Sequence, residues 1–308
     1  MKTIQPIFLA WALALAGSLF AADLGDEAKP LAISDWIKGD AVDLAKGKGE
    51  KVYVVEFWAT WCPPCLTTIP HLTKLQKEYE DQGVVVIGIS SERPELVKRF
   101  VDKMGDKMDY VVAIDEDRGT SEAYMRTFGQ SAIPHAFVVD KEGRVAWHGH
   151  PMAGLDEVLK KVVAGEFDLA QAAELRLAQK RLAAKTADYL QRVVAGKGGE
   201  ETDALGNELL EEGAGDVTYL NNLSWSIITE EKVQYRNRAF ALALAEAAFK
   251  ASDGETGFVL DTYARALYED GQLSKALKMQ KKAIKHAKDK SERKMMEVHL
   301  EEYRDGVQ

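Results

Sequence analysis

Cysteine is nearly missing from this chain. Only Cys62 and Cys65 occur among 308 residues. Two cysteines cannot build a disulfide-rich scaffold or a four-cysteine zinc site. A basic excess is also lacking. Lys and Arg number 40 against 49 Asp and Glu, a formal net charge of −9, so the overall balance does not suit nucleic acid. Proline is sparse at 8, yet two of the eight stand between the two cysteines. Long apolar runs are absent beyond Ile7–Phe20, whose 14 residues fall short of the roughly 20 that span a bilayer. Hydrophobic residues make up 46% and charged residues 29%, enough for a packed core and against global disorder.

That single apolar run follows Met1 and Lys2 and precedes the small residues Ala21 and Ala22. This is the plan of a signal peptide over 1–21, with an uncleaved N-terminal anchor as the alternative. Both readings put the rest of the chain outside the cytoplasm, periplasmic or otherwise extracytoplasmic. No cysteine follows the run to carry a lipid. Residues 22–165 hold 18 basic and 24 acidic side chains, and residues 166–308 hold 21 and 25. Counted by halves, the charge is evenly spread and reads as solubility.

The length suggests about two domains. In the first, 22–165, strand and helix patterns alternate. Val52–Trp58 and Val84–Ile89 read as buried strands, Tyr110–Ile114 as a short one, and Ala136–Val139 with Arg144–His148 as a hairpin around Asp140–Gly143. Helices are expected over Leu66–Tyr79, from Pro94 to Met104, over Ser121–Phe128 and over Leu155–Val163, with Gly165 as a stop. The alternation implies an α/β sheet.

The second domain, 166–308, shows no strand pattern and reads as a row of helical hairpins behind a connecting helix near 167–195. Leu260, Tyr263, Ala264, Leu267, Gly271, Ala276 and Ala283 fall at the spacings of a tetratricopeptide repeat. Leu220, Leu223, Ser224, Ile227, Ala241 and Ala248 form a looser copy, and Ser291–Tyr303 suits a closing helix. Gln280 and Lys288 depart from that pattern, and a plain helical bundle is the alternative.

The chemistry concentrates in Trp61-Cys62-Pro63-Pro64-Cys65. A strand runs toward Cys62 and a helix starts at or just after it. Backbone N–H groups and the helix dipole stabilise a thiolate at such a terminus. The thiolate is the attacking species in thiol–disulfide exchange. Cys65, one turn on, can attack a mixed disulfide at Cys62. Pro63 and Pro64 stiffen the loop and remove two backbone donors. Half of a zinc site and a purely structural disulfide are the weaker alternatives. No other cysteine exists, and a bond closing so short a loop adds little stability.

Glu56-Phe-Trp-Ala-Thr-Trp-Cys62-Pro-Pro-Cys65, followed by Pro70, resembles the active-site segment of the thioredoxin superfamily. Ile133-Pro134 before an apolar strand resembles that family's cis-proline loop, and Gly149 its late glycine. With the signal segment and the inserted strand and helix between 90 and 114, the chain looks like the TlpA/ResA-type extracytoplasmic members.

The resemblance implies a thioredoxin-like fold, a central mixed sheet flanked by helices, ahead of the all-α tetratricopeptide-like region. It implies Cys62 as nucleophile, Cys65 as resolving thiol, and a cis Pro134 beside the disulfide. The Ile133 backbone would pair with an extended substrate. Trp61, Pro63, Pro64 and His135 complete the expected substrate-contacting set. No cofactor beyond the cysteine pair and no metal is expected. Clients carrying disulfides or thiols, a membrane thiol electron donor and a partner of the helical repeats follow as implied partners, and nucleic acid does not.

Glu56 interrupts a buried strand. Burial should raise its pKa, which suits a proton acceptor for Cys65. A structural buried acid is the alternative. Family members often place a Glu three residues after the second cysteine, where this chain has Thr68, which cannot act as a base. His135 is either a tuning group beside the disulfide or a half-exposed loop residue. His148 and His150 read as surface loop.

Three other functions compete with disulfide reduction. Oxidase or isomerase activity would use the same residues at a different redox poise. A thiol peroxidase would resemble a P-x-x-x-T-x-x-C pattern, but Thr60 stands only two residues before Cys62. The helical repeats could also serve as a non-catalytic scaffold.

Overall fold

The computed structural model describes residues 22–306, so the segment read as a signal peptide lies outside the described residues. The sheet is built around β2 (Val52–Phe57), in which all six residues are buried. A strand covered on both faces needs no polar alternation, which is why its sequence, Glu56 apart, is a β-branched and aromatic run. β3 (Val84–Ser90) and then β4 (Val111–Asp115) extend the sheet on one side by parallel pairing. β5 (His135–Val139) and β6 (Val145–Gly149) extend it on the other by antiparallel pairing. β1 (Ile33–Lys38) closes the far edge antiparallel to β4, giving the order β1-β4-β3-β2-β5-β6.

The edge strand β1 has no counterpart among the sequence expectations. Ile33, Trp36 and Ile37 neither alternate nor run together, and two register shifts against β4 accommodate them. The expected helix over Ser121–Phe128 takes another form as well. α3 (Gly119–Ser121) runs directly into a π-helical turn, Glu122–Arg126.

The period of two divides the core. Val52, Val54 and Trp58 pack in one cluster with residues of α1 (Pro63–Tyr79), α2 (Pro94–Met104) and α4 (Leu155–Ala164). Tyr53, Val55 and Phe57 pack on the opposite face with Tyr124, Phe128 and Phe137. Gly88 sits on β3 beside Glu56 of β2, where a Cβ would lie 2.9 Å from Tyr110 Cε2 and 3.1 Å from Trp58 Nε1. Gly88→Ala is expected to cost about 1–3 kcal/mol by overpacking. A urea denaturation midpoint equal to the unsubstituted chain's would contradict that.

Seven helices follow among the described residues: α5 (Leu169–Val194), α6 (Glu200–Glu212), α7 (Val217–Thr229), α8 (Arg238–Ala251), α9 (Gly257–Glu269), α10 (Leu273–Lys285) and α11 (Lys290–Asp305). The chain divides into two compact units that meet between Leu177 and Ala178, inside α5. Asp216, Asn237 and Asp289 cap α7, α8 and α11 with side-chain oxygens on backbone N–H groups. Small residues let α7 and α8 approach closely: Ala241, Ala245 and Ala248 are buried with Leu220, Leu223 and Ile227, and Ser224 Oγ donates to Ala241 O at 2.7 Å. α9 and α10 repeat the arrangement through Ala264, Ala276 and Ala283, with Gly271 at φ 80° in the turn between them. Gln280 is fully buried, and its Nε2 donates to Asp261 Oδ1 at 2.6 Å and to Met296 O at 2.9 Å.

Candidate active site

β2 delivers the chain to the loop before α1, and Cys62 is the N-cap residue of that helix. Pro63 and Pro64 occupy the first two helical positions, where their fixed φ suits the turn and their missing N–H groups have no intrahelical partner to lose. Those two prolines leave Cys65 N–H as the first donor of the helix. It points at Cys62 Sγ, 3.2 Å away. Sγ is therefore held by a single backbone donor and the dipole, fewer contacts than an unsubstituted helix start would offer.

Cys62 and Cys65 form a disulfide. Cys65 is fully buried and Cys62 nearly so, while Trp61 beside them is 71% exposed. Pro63, Pro64 and Leu66 are exposed around the pair. The Ile133–Pro134 peptide is cis. Ile133 O lies 3.8 Å from Cys62 Sγ, Pro134 is buried, and Ile133 stands just outside the β5 ladder. The topology thus brings together Cys62, Cys65, Trp61, Ile133 and Pro134 from segments some 70 residues apart in sequence.

The loop before Cys62 has an anchor that sequence reading missed. Glu92, in the turn between β3 and α2, accepts from Thr60 N at 2.6 Å and from Thr60 Oγ1 at 2.8 Å. The two residues are 32 apart in sequence, and no local pattern links them. A groove of about 530 Å³ runs from Trp61 and Ile133 past Glu92 to Arg118, Arg126 and Gln130.

Glu56 is fully buried at the centre of β2, opposite Gly88 and Ala136. Alternation puts it on the face of Val54 and Trp58, the face that packs against Cys62 and Cys65. Neither carboxyl oxygen finds a hydrogen-bond partner among the described residues. Desolvation pushes its pKa up to about 8. Tyr110, buried nearby, is pushed upward by desolvation and by the Glu56 charge. Thr68, one turn beyond Cys65, is buried and donates to Cys65 O at 3.0 Å.

Of the two readings of His135, the half-exposed loop residue is excluded: it opens β5 and is buried. His148 lies on β6 and is buried too, not in a surface loop. The pairing of Phe137 with His148 sets the two imidazoles diagonally, and His135 Nε2 and His148 Nδ1 share a hydrogen bond of 2.9 Å. Burial, with the Arg176 and His150 charges adding to it, lowers the His135 pKa to about 4 and holds the ring neutral. Phe137 and Phe128 surround the pair. The aromatic alternation of β5 was the available signal for this burial. His150 is exposed, as expected.

A mixed sheet with a cysteine pair capping the helix that leaves its central strand, and a cis-proline against the sulfur, defines a thioredoxin-like protein. The family described as AhpC/TSA matches residues 24–148. The thiol-disulfide oxidoreductase ResA of Halalkalibacterium halodurans is 33% identical over 125 residues, 40% of this chain and 66% of that protein. ResA of Bacillus thuringiensis subsp. konkukian is 31% identical over 144 residues, 46% of this chain and 79% of the relative. A thioredoxin-family thiol:disulfide interchange protein from Chlorobium tepidum TLS is 30% identical in a structural match with TM-score 0.36, covering 45% of this chain and 99% of that one. The chain belongs to the thioredoxin superfamily, among its ResA-like thiol–disulfide oxidoreductases. It spans 66% of the length of the first of these relatives, and the helical region lies beyond the 24–148 match.

Proposed function

We propose that the chain is an extracytoplasmic reductase of protein disulfides. The reading is carried by one observation: a cysteine pair at a helix N-terminus, buried except toward an exposed Trp61 and a cis-proline loop. The reduced Cys62 thiolate attacks one sulfur of a client disulfide. A mixed disulfide forms and the client's other sulfur leaves as a thiolate. Cys65, giving its proton to Glu56, then attacks Cys62 Sγ, which re-forms the Cys62–Cys65 disulfide and releases the client's second thiol. Two electrons pass to the client, and a membrane thiol donor restores them.

Ile133 would pair with an extended client segment, with Trp61, Pro63 and Pro64 bordering it and Pro134 closing the site beside the sulfur, while His135, buried against His148 and Phe137, stays out of a client's reach. A proton acceptor on the strand would replace the helix Glu whose place Thr68 takes. The signal segment 1–21, export to the periplasm and a redox domain over 22–165 belong to the same proposal. The region 166–308 would bind a protein partner through tetratricopeptide-like hairpins, supported by the buried small residues between α7 and α8 and between α9 and α10. Among the described residues no helix is long and apolar enough to cross a membrane.

The thiol peroxidase alternative calls for a Thr serving the attacking sulfur, whereas Thr60 is engaged by Glu92. Oxidase or isomerase activity differs only in poise. The reduction potential of the Cys62–Cys65 couple, measured against glutathione, separates the two: a value near about −270 mV fits a reductant, and one near about −120 mV would overturn the reductase reading in favour of an oxidant.

A further inference from the structure

The even spread of charge between the two halves conceals a local reversal. Residues 273–294 carry eight Lys and one Arg against Asp289 and Glu292 alone, a net of +7 within a chain of net −9. Most of these cations lie on α10. Lys278, Lys281, Lys282 and Lys285 fall at helical spacings of three, four and seven, which puts them on one stripe. Like charges at that spacing repel and cost helix stability; the helix dipole offsets this for Lys282 and Lys285 in the last turn but not for Lys278.

Lys282 is tied down: its Nζ donates to Gly254 O at 2.6 Å and lies 5.8 Å from the centre of the Phe249 ring. Lys278, Lys281 and Lys285 are exposed, and none of the three enters an ion pair among the described residues. Between them lies an open concavity of about 800 Å³, lined among the described residues by α10 alone, whose apolar side chains are Leu273, Leu277 and Met279. All three are only partly buried. An open apolar concavity with unpaired cations beside it is complementary to a segment with carboxylates on one face and aliphatic side chains on the other.

We infer that the α10 face is a docking surface for an acidic amphipathic segment of a partner protein. Aliphatic side chains of the segment lie against Leu273 and Leu277, and its carboxylates reach Lys278, Lys281 and Lys285. A flat anionic surface would meet the lysines but leave the apolar concavity unfilled, which favours a peptide over a lipid headgroup layer. The inference deepens the partner-binding reading of the helical region and names its surface and chemistry.

The test uses the full chain and a fluorescein-labelled synthetic helix of about 18 residues with Glu on one face and Leu on the other, followed by anisotropy. Saturable binding is expected. It should weaken at least tenfold with Lys278→Glu/Lys281→Glu/Lys285→Glu, and comparably when salt is raised from about 0.05 to about 0.5 M, because exposed charges are screened within a few ångströms there. Leu277→Ser should weaken it as well, and a peptide with Gln for Glu should not bind. The milder Lys→Gln triple variant serves if charge reversal disturbs the circular dichroism spectrum. Equal binding by the charge-altered chain overturns the inference. So does tighter, lysine-dependent binding to vesicles of phosphatidylcholine with phosphatidylglycerol, or to duplex DNA. Self-association abolished by the same substitutions would assign the face to a second copy and overturn it too. Client trapping at Cys62 in the Lys-substituted background separates this outcome from the redox reading: trapping that persists without peptide binding removes the α10 surface alone.

Discussion

Cys65→Ser protein is expected to accumulate in covalent complex with its clients through Cys62, while Cys62→Ser accumulates none. The reason lies in the order of attack. Cys62 carries the sulfur next to exposed Trp61 and the Ile133–Pro134 loop, and Cys65 is fully buried behind it. On the proposed roles, an incoming disulfide reaches the first sulfur and not the second. Without Cys65 the mixed disulfide can be resolved only by an external thiol. Effective molarities for well-oriented intramolecular attack are on the order of 10⁵ M or more, against millimolar external thiol, so turnover should fall by at least about 10³-fold. Purification under denaturing conditions after alkylation, with release by dithiothreitol, reads the complex. Trapping through Cys65 in Cys62→Ser protein would reverse the assigned roles, and trapping by neither would leave the helical region as a scaffold.

With Cys65 intact, Glu56→Gln should slow resolution of the mixed disulfide by about 10²-fold near neutral pH, the lower end of what a positioned base contributes. With the Glu56 pKa near 8, resolution by the native chain should accelerate as pH rises from 7 to 9. The variant should lose the part of that rise owed to Glu56 and keep only the increase that comes from ionisation of the Cys65 thiol itself. An unchanged rate across this range would end the role of Glu56 as proton acceptor.

The same carboxyl makes a stability prediction with a definite sign. Its folded pKa is raised from an unfolded value of 4.5 to about 8, so the folded state binds more protons between those values. Stability is then greatest below about pH 4.5 on this account, declines as pH rises through the window, and levels off above about 8. The loss is on the order of a few kcal/mol. Urea denaturation of the oxidised protein should show the decline in the native chain and a flatter profile in Glu56→Gln, which becomes the more stable of the two above pH 8. Matching slopes would mean that Glu56 is not desolvated as described.

What could be read in advance follows from range. The start of α1 at Cys62 is local: a strand signal, two prolines and helical spacing lie within a few residues. Glu56 inside an apolar run is likewise visible, since burial of that run follows from its composition. The Thr60–Glu92 contact and the His135–His148 pair depend on which strands lie side by side and in what register, and no neighbouring residue encodes either. β1 escaped notice because its six residues show no period and are fixed by pairing with β4. The α10 stripe was hidden by averaging. Counting charge by halves cancels it, although spacings of three and four on the helix would have shown it.

By itself the sequence determined the α/β alternation, the helical second half, the position of the cysteine pair and the anomalous acid, because period, composition and helix-start chemistry act over a few residues. Tertiary structure alone decided what those residues meet. The cis-proline loop reaches Cys62 from 71 positions away, and Glu56 is left without a hydrogen-bond partner. His148, which looked like surface, is enclosed among aromatic rings together with His135. The physical reason is that burial and pairing are properties of register and packing. A carboxyl or imidazole acquires its protonation behaviour only when neighbouring strands exclude water from it.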